Sequence, residues 1–343
     1  MKKINLALQG GGAHGAFTWG TLDRLLEEPD LEIEGISGTS AGAMNAAALK
    51  AGWVRGGNEG ARAALEAFWD EISQSGDGVS QWLSFLTPHP DLFSKWVEMS
   101  PAYLMGDALT RTFSPYQLNP LNIHPLRPIV EKMLDFDKVC AAAGPKLFIS
   151  ATNVRTGKIK VFSGQDISGD TLLASACLPT LYQAVEIEDK DTQTTEAYWD
   201  GGYMGNPALF PLFDETDSAD ILIVHINPIL RDEVPRSDRD ILNRINEISF
   251  NSSLLRELRA IDFVRRLLDD GKISNNSMKN VLIHSIRDDD LMRRLGVATK
   301  LTPDRALLRQ LRDAGRAAMD DFLGAHKDDI GFRGTLDLRA MFA

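Results

Sequence analysis

The chain has 343 residues, 43% apolar and 25% charged, with a formal net charge of -11. A chain of this size buries a large core without a metal or disulfide, and the composition is not that of a disordered segment. The acidic balance excludes a nonspecific nucleic-acid binder, and two cysteines without a CxxC, Cys140 and Cys177, exclude a disulfide scaffold and a cysteine zinc site.

The opening predicts a strand at Ile4–Leu8, a glycine turn at Gly10-Gly11-Gly12, and a helix in which Phe17, Leu22, Leu25 and Leu26 recur until Pro29. A second unit repeats the plan. Ile33 and Ile36 mark a strand, Gly38 to Gly42 a turn, and an Ala-rich helix is expected to run to about Ala51 with Gly52 as its C-cap. Strand alternating with helix implies a mainly parallel sheet with helices on both faces, an α/β fold. Residues 75 to 128 hold seven of the fifteen prolines, interleaved with aromatics from Trp82 to Tyr116. Regular structure is expected to break there while the segment covers an apolar surface, as a lid, as a wall for an acyl chain or as a structural cover over the sheet.

Strands are then predicted at Lys146–Thr152 and Lys158–Ser163, joined through Thr156-Gly157, followed by a short helix near Leu172 to Cys177. Ile221–Ile226 reads as a buried parallel strand. Residues 238 to 270 form a long amphipathic pattern (Ile241, Leu242, Ile245, Ile248, Leu255, Leu258, Ile261, Leu268), read as packing on the core. Val281–Ile286 is another strand, and a last helix is expected to begin at Thr302-Pro303. No run approaches the ~20 apolar residues of a membrane span. A cytoplasmic protein is expected, with a peripheral membrane contact left open.

Three places carry chemistry. Gly10-Gly11-Gly12-Ala13-His14-Gly15 reads literally as GxGxxG after a strand, the dinucleotide fingerprint. Its convergent N–H groups suit either a pyrophosphate or the oxyanion of acyl transfer. The dinucleotide reading, which would make the protein an oxidoreductase, wants an acidic residue at the end of the next strand. Glu32 and Glu34 lie near that spacing, but a serine follows them. Gly38-Thr39-Ser40-Ala41-Gly42 is a GxSxG between strand and helix, the context of a nucleophile elbow. Parallel strands put both turns on one sheet edge. A serine needs a base. His225 and His284 sit inside apolar runs and read as core residues, and His14 reads as a positioning or helix-packing group. Asp200 in Trp199-Asp200-Gly201-Gly202-Tyr203, at a glycine turn after a short strand, is the better base.

Taken in order, GGGxxG, GxSxG and Asp-Gly-Gly resemble the motifs of the patatin-like acyl hydrolases. Ala151-Thr152-Asn153 with Val161-Phe162-Ser163, and Ala174-Ser175-Ala176-Cys177-Leu178-Pro179, resemble the family's segments between them. Two positions depart from the pattern: Gln9 precedes the first glycine, and His14 stands where the family commonly has Arg or Lys. The resemblance implies a three-layer α/β/α fold and a Ser–Asp dyad, with Ser40 as nucleophile and Asp200 as general base. It implies an oxyanion hole from Gly10, Gly11, Gly12 and Ala41, with Gly15, Gly38, Gly42, Gly201 and Gly202 shaping the turns. Residues 1–210 are then the catalytic core, with the 75–128 insertion, and 211–343 complete the same domain. The implied substrate is a lipid or other hydrophobic ester, with no cofactor and no metal. A polyester such as polyhydroxybutyrate would use the same dyad. A catalytically silent lipid-binding module is disfavoured because all three motifs are intact.

Overall fold

The computed structural model describes residues 1–75, 97, 100–190, 192–274 and 277–342. Its eight-stranded mixed sheet has the order β5-β6-β3-β2-β1-β7-β8, with β4 added to β3. The strands are β1 (Lys2–Leu8), β2 (Leu31–Gly38), β3 (Lys146–Asn153), β4 (Ile159–Ser163), β5 (Val185–Asp189), β6 (Thr194–Asp200), β7 (Asp220–Val224) and β8 (Leu282–Ile286). The run β3-β2-β1-β7-β8 is parallel, whereas β4, β5 and β6 pair antiparallel. The expected parallel sheet is therefore extended by an antiparallel flank.

Five helices cover it in the layers that matter here: α1 (Gly15–Leu25), α2 (Ala41–Gln74), α3 (Gly169–Ser175), α4 (Asp238–Asp269) and α5 (Arg305–His326). Alternation along the strands feeds two cores. Leu6 and Leu8 of β1 with Leu222 and Val224 of β7 pack toward α1, α2 and α5. Ala7, Ile221 and Ile223 pack on the other face, against Leu254, Leu258 and Ile261 of α4. All of β7 is buried, which is why it reads as an unbroken apolar run. The sheet thus lies between two helical layers, as expected.

Four expectations need correction. The Ala-rich helix does not end at Gly52; α2 breaks at Gly56 and Gly57, where Gly57 has φ +61°. Gly52 instead packs against the backbone of Gly60, so its missing side chain serves contact rather than termination. The cap of α5 is Asp304, whose carboxylate Oδ1 accepts from Leu307 N–H at 3.0 Å, not Thr302. In the described part of the 75–128 stretch, Pro120 and Pro125 lie in turns between short helices, as expected, but Pro101, Pro115 and Pro128 stand in the first turns of helices, since the first turn needs no proline N–H. Trp82, Phe85, Pro88, Pro90, Phe93, Trp96 and Met99 lie outside the described residues. Finally, α4 packs on the core only in its second half: Leu258 and Ile261 are buried, while Ile241, Leu242, Ile245 and Ile248 are exposed. Among the described residues no helix is long and apolar enough to cross a membrane.

Candidate active site

The sheet brings three distant motifs to one point. β3 is long enough to pair with two strands in succession along one edge. Ile149 of β3 faces Gly38 at the end of β2, and Ala151 faces Asp200 at the end of β6. Both positions face β4 on the opposite edge, at Phe162 and Lys160, so β2 and β6 share the same side. The two strands run toward each other and stop there. The two ends face β3 positions two residues apart, so their separation is about 7 Å along the edge. Ser40 follows one end by two residues and Asp200 closes the other.

The local backbone aims the serine. Ser40 is the N-cap of α2 at φ +54° and ψ -121°, a conformation that a non-glycine residue adopts only under surrounding constraint. Gly42 permits the turn because a side chain there would overlap the Leu8 carbonyl of β1. The constraint comes from named contacts. Ser40 N–H donates to Ser175 Oγ at 2.9 Å, and that hydroxyl donates to Ser150 O at 2.7 Å. Thr39 Oγ1 donates to Gly205 O at 2.6 Å. A Ser175→Ala variant is expected to leave the Ser40 N–H unpaired, to lose about 1–3 kcal/mol of stability, and to lower kcat more than it changes KM. Thermal melting and steady-state kinetics on one ester check this.

Asp200 is 1% exposed. Its Oδ1 accepts from Gly202 N–H at 2.7 Å, and its backbone is held by Cys177 O and by Thr152 Oγ1, each at 2.8 Å. Burial pushes the carboxyl up to about 7, against the pull of the Gly202 N–H and of the nearby Ser40 hydroxyl. Among the described residues no histidine bonds to either member of the pair. His284 is tied to Asp220 at 2.9 Å and Thr335 at 3.1 Å, and His326 to Asp329 at 2.9 Å. Burial lowers His225 to about 4. His14, held by burial and the nearby Lys300 and Arg231 well below the usual imidazole range, meets Thr299 Oγ1 at 2.8 Å. It is buried and neutral.

The first glycine turn lies directly against the serine: a Cβ on Gly10 would come within 2.7 Å of Ser40 Cβ. Gly10 N–H, however, donates to Asn206 Oδ1 at 2.6 Å. That engagement removes Gly10 from the expected oxyanion donors and makes it a fixed point of the turn. The hydrogen bonds of the two turns engage no N–H of Gly11, Gly12 or Ala41 among the described residues. Gln9 is a buried hub. Its Oε1 accepts from Ile226 N–H and Asn227 N–H, both at 3.0 Å, and its Nε2 donates to Asn251 Oδ1 at 3.2 Å. The dinucleotide reading fails on position. Glu34 lies in mid-strand, accepts from Ser218 N–H at 2.7 Å and pairs with Lys3, while the end of β2 is given over to the serine turn.

The contributions of Asn206, Asn227 and Ser175 were not legible beforehand. Ser175 sits inside a motif already noticed, but its contact with Ser40 spans 135 positions. Two surface clefts, of about 310 and 590 Å³, lie elsewhere; the first is lined by Trp19, Arg62 and Arg316, the second by Ser285, Phe322 and His326.

The architecture is of the three-layer α/β/α class, with a serine on a strained strand-to-helix turn at the sheet edge. Within that class the chain belongs to the patatin-like phospholipase family, whose model matches residues 6–213. Membership makes it, at the level of the family, a lipid acyl hydrolase. Among solved structures it is similar to VipD from Legionella pneumophila, with a TM-score of 0.44 and 15% identity over 95% of this chain and 67% of that one. No curated protein sequence matches it.

Proposed function

We propose that the protein hydrolyses carboxylic esters of lipids through a Ser40–Asp200 dyad and an acyl-enzyme. The observation that supports this is the meeting of β2 and β6 along one edge of β3, with the strained Ser40 just past the end of one strand and the buried carboxyl of Asp200 closing the other. In the first half-reaction Asp200, ionised, takes the Ser40 proton as Oγ attacks the ester carbonyl carbon. The carbonyl oxygen becomes an oxyanion held by the N–H groups of Gly11, Gly12 and Ala41, each well-placed donor being worth about 10²–10³ in rate. The C–O bond to the alcohol or lysolipid breaks, and that oxygen takes the proton from Asp200. In the second half, water gives a proton to Asp200 and attacks the acyl carbon. Collapse releases the fatty acid and returns the proton to Ser40. The dyad needs no cofactor, and residues 211–343 complete the domain that holds it.

A substrate panel separates the ester classes. Release of fatty acid from phosphatidylcholine vesicles and triolein emulsion, and of 3-hydroxybutyrate from polyhydroxybutyrate granules, is measured with wild type and Ser40→Ala. Release from lipid that disappears with Ser40→Ala supports the reading. Release from the polyester alone would transfer the dyad to a depolymerase, and turnover unaffected by Ser40→Ala would overturn it.

A further inference from the structure

The glycine turn beside Ser40 is held by a segment far downstream, the single helical turn Val297–Lys300. Thr299 Oγ1 meets His14 Nε2 at 2.8 Å. The Lys300 carbonyl packs on Gly12, whose φ is +58°; a side chain at Gly12 would strike that carbonyl. Lys300 Nζ donates to Asn227 Oδ1 at 2.7 Å, and Asn227 Nδ2 donates to Gly10 O at 2.7 Å. This last bond matters because of peptide planarity. The Gly10 carbonyl and the Gly11 N–H belong to one trans peptide unit and point in opposite directions. Holding the carbonyl toward Asn227 holds the N–H away from it. A cation at the head of the chain polarises the amide, the carbonyl and therefore that N–H.

We propose that Lys300, acting through Asn227, orients and polarises the Gly10–Gly11 peptide, and so is a positioning residue for the oxyanion donor Gly11 N–H. The inference rests on the Ser40–Asp200 reading. Its chemistry follows from charge. Lys300 ionises at about 8, lowered first by burial and then by Arg231, with Glu247 acting in the opposite sense. Among the described residues, the charged groups that act on it are Glu247 and Arg231. Arg231 and Arg244 are both paired with Glu247 of α4, at 2.5 and 3.1 Å, and His14 on the turn is neutral. Loss of the Lys300 proton leaves Asn227 without its charged donor and weakens the relay.

The experiment is the pH dependence of kcat and KM for p-nitrophenyl ester hydrolysis by the full chain, from about pH 6 to about pH 9.5. Wild type, Lys300→Met, Lys300→Arg and Ser40→Ala are compared. Wild-type kcat is expected to fall above about pH 8. Lys300→Met is expected to show about a tenfold lower kcat at neutral pH, unchanged KM, and no such fall. Lys300→Arg is expected to keep the neutral-pH kcat and to hold it through pH ~9, because a guanidinium stays charged. A wild-type kcat and alkaline fall in Lys300→Met, or a fall that persists in Lys300→Arg, would overturn the proposal. If Lys300→Met melts early, the comparison of wild type with Lys300→Arg decides alone. Full activity in Ser40→Ala would instead sink the dyad itself, so the two failures are distinct.

Discussion

Ser40→Ala is expected to lower ester hydrolysis by about 10⁴–10⁶ in kcat, and Asp200→Asn by about 10³–10⁴, with the fold intact by circular dichroism. The serine loses the atom that bonds to the acyl group, so what remains is the background supplied by the donors around it. The aspartate keeps its shape as asparagine. Its Oδ1 can still accept from Gly202 N–H, the contact that shapes the Asp-Gly-Gly turn. What is lost is the base, and among the described residues His284 and His326, committed to other carboxylates, do not replace it. A fluorophosphonate that labels wild type but not Ser40→Ala locates the nucleophile independently of substrate. Asp200→Asn should label slowly rather than not at all. Equal turnover by all three proteins would remove both residues from the mechanism.

The local parts of this site were legible in the sequence and the long-range parts were not. A glycine turn after an apolar run, followed by helical spacing, is a short-range signal. Hence β1 with α1, and β2 with the start of α2, fall where expected. Asp200 was legible as a turn residue, but its meeting with Ser40 depends on β3 pairing with β2 and then with β6 along one edge, a tertiary event without local signature. Misplaced helix ends have a similar origin. Gly52 looks like a cap by composition, yet its neighbour is the Gly60 backbone, and the break falls at Gly56 and Gly57, where nothing crowds either residue. The family resemblance implies Gly10 as an oxyanion donor, but Asn206, 196 positions away, takes its N–H. Spacing reveals which groups can converge; the partners of each group come only from packing.

The pH dependence sets activity and stability against each other at one residue. Asp200 must be ionised to accept the Ser40 proton, and burial holds its carboxyl at about 7. Below that, kcat/KM is expected to fall about tenfold per pH unit, so that at pH 5 roughly one hundredth of the plateau remains. Stability moves the other way. An unfolded aspartate releases its proton near pH ~4, whereas the folded protein keeps it to about pH 7. Between these values the folded state binds more protons, so the free energy of unfolding falls as the pH rises. The charged, buried carboxylate costs on the order of 4 kcal/mol above pH ~7, the net of burial and of the opposing pull of Gly202 N–H and the Ser40 hydroxyl. Asp200→Asn carries no such charge. It should melt several degrees above wild type at pH ~8 and close to it at pH ~4. Calorimetric scans of both proteins at the two pH values, beside the rate profile, check both halves. A rate profile flat down to pH 5, together with equal melting at pH 8, would mean that Asp200 is ionised throughout and that its burial is not what tunes the base.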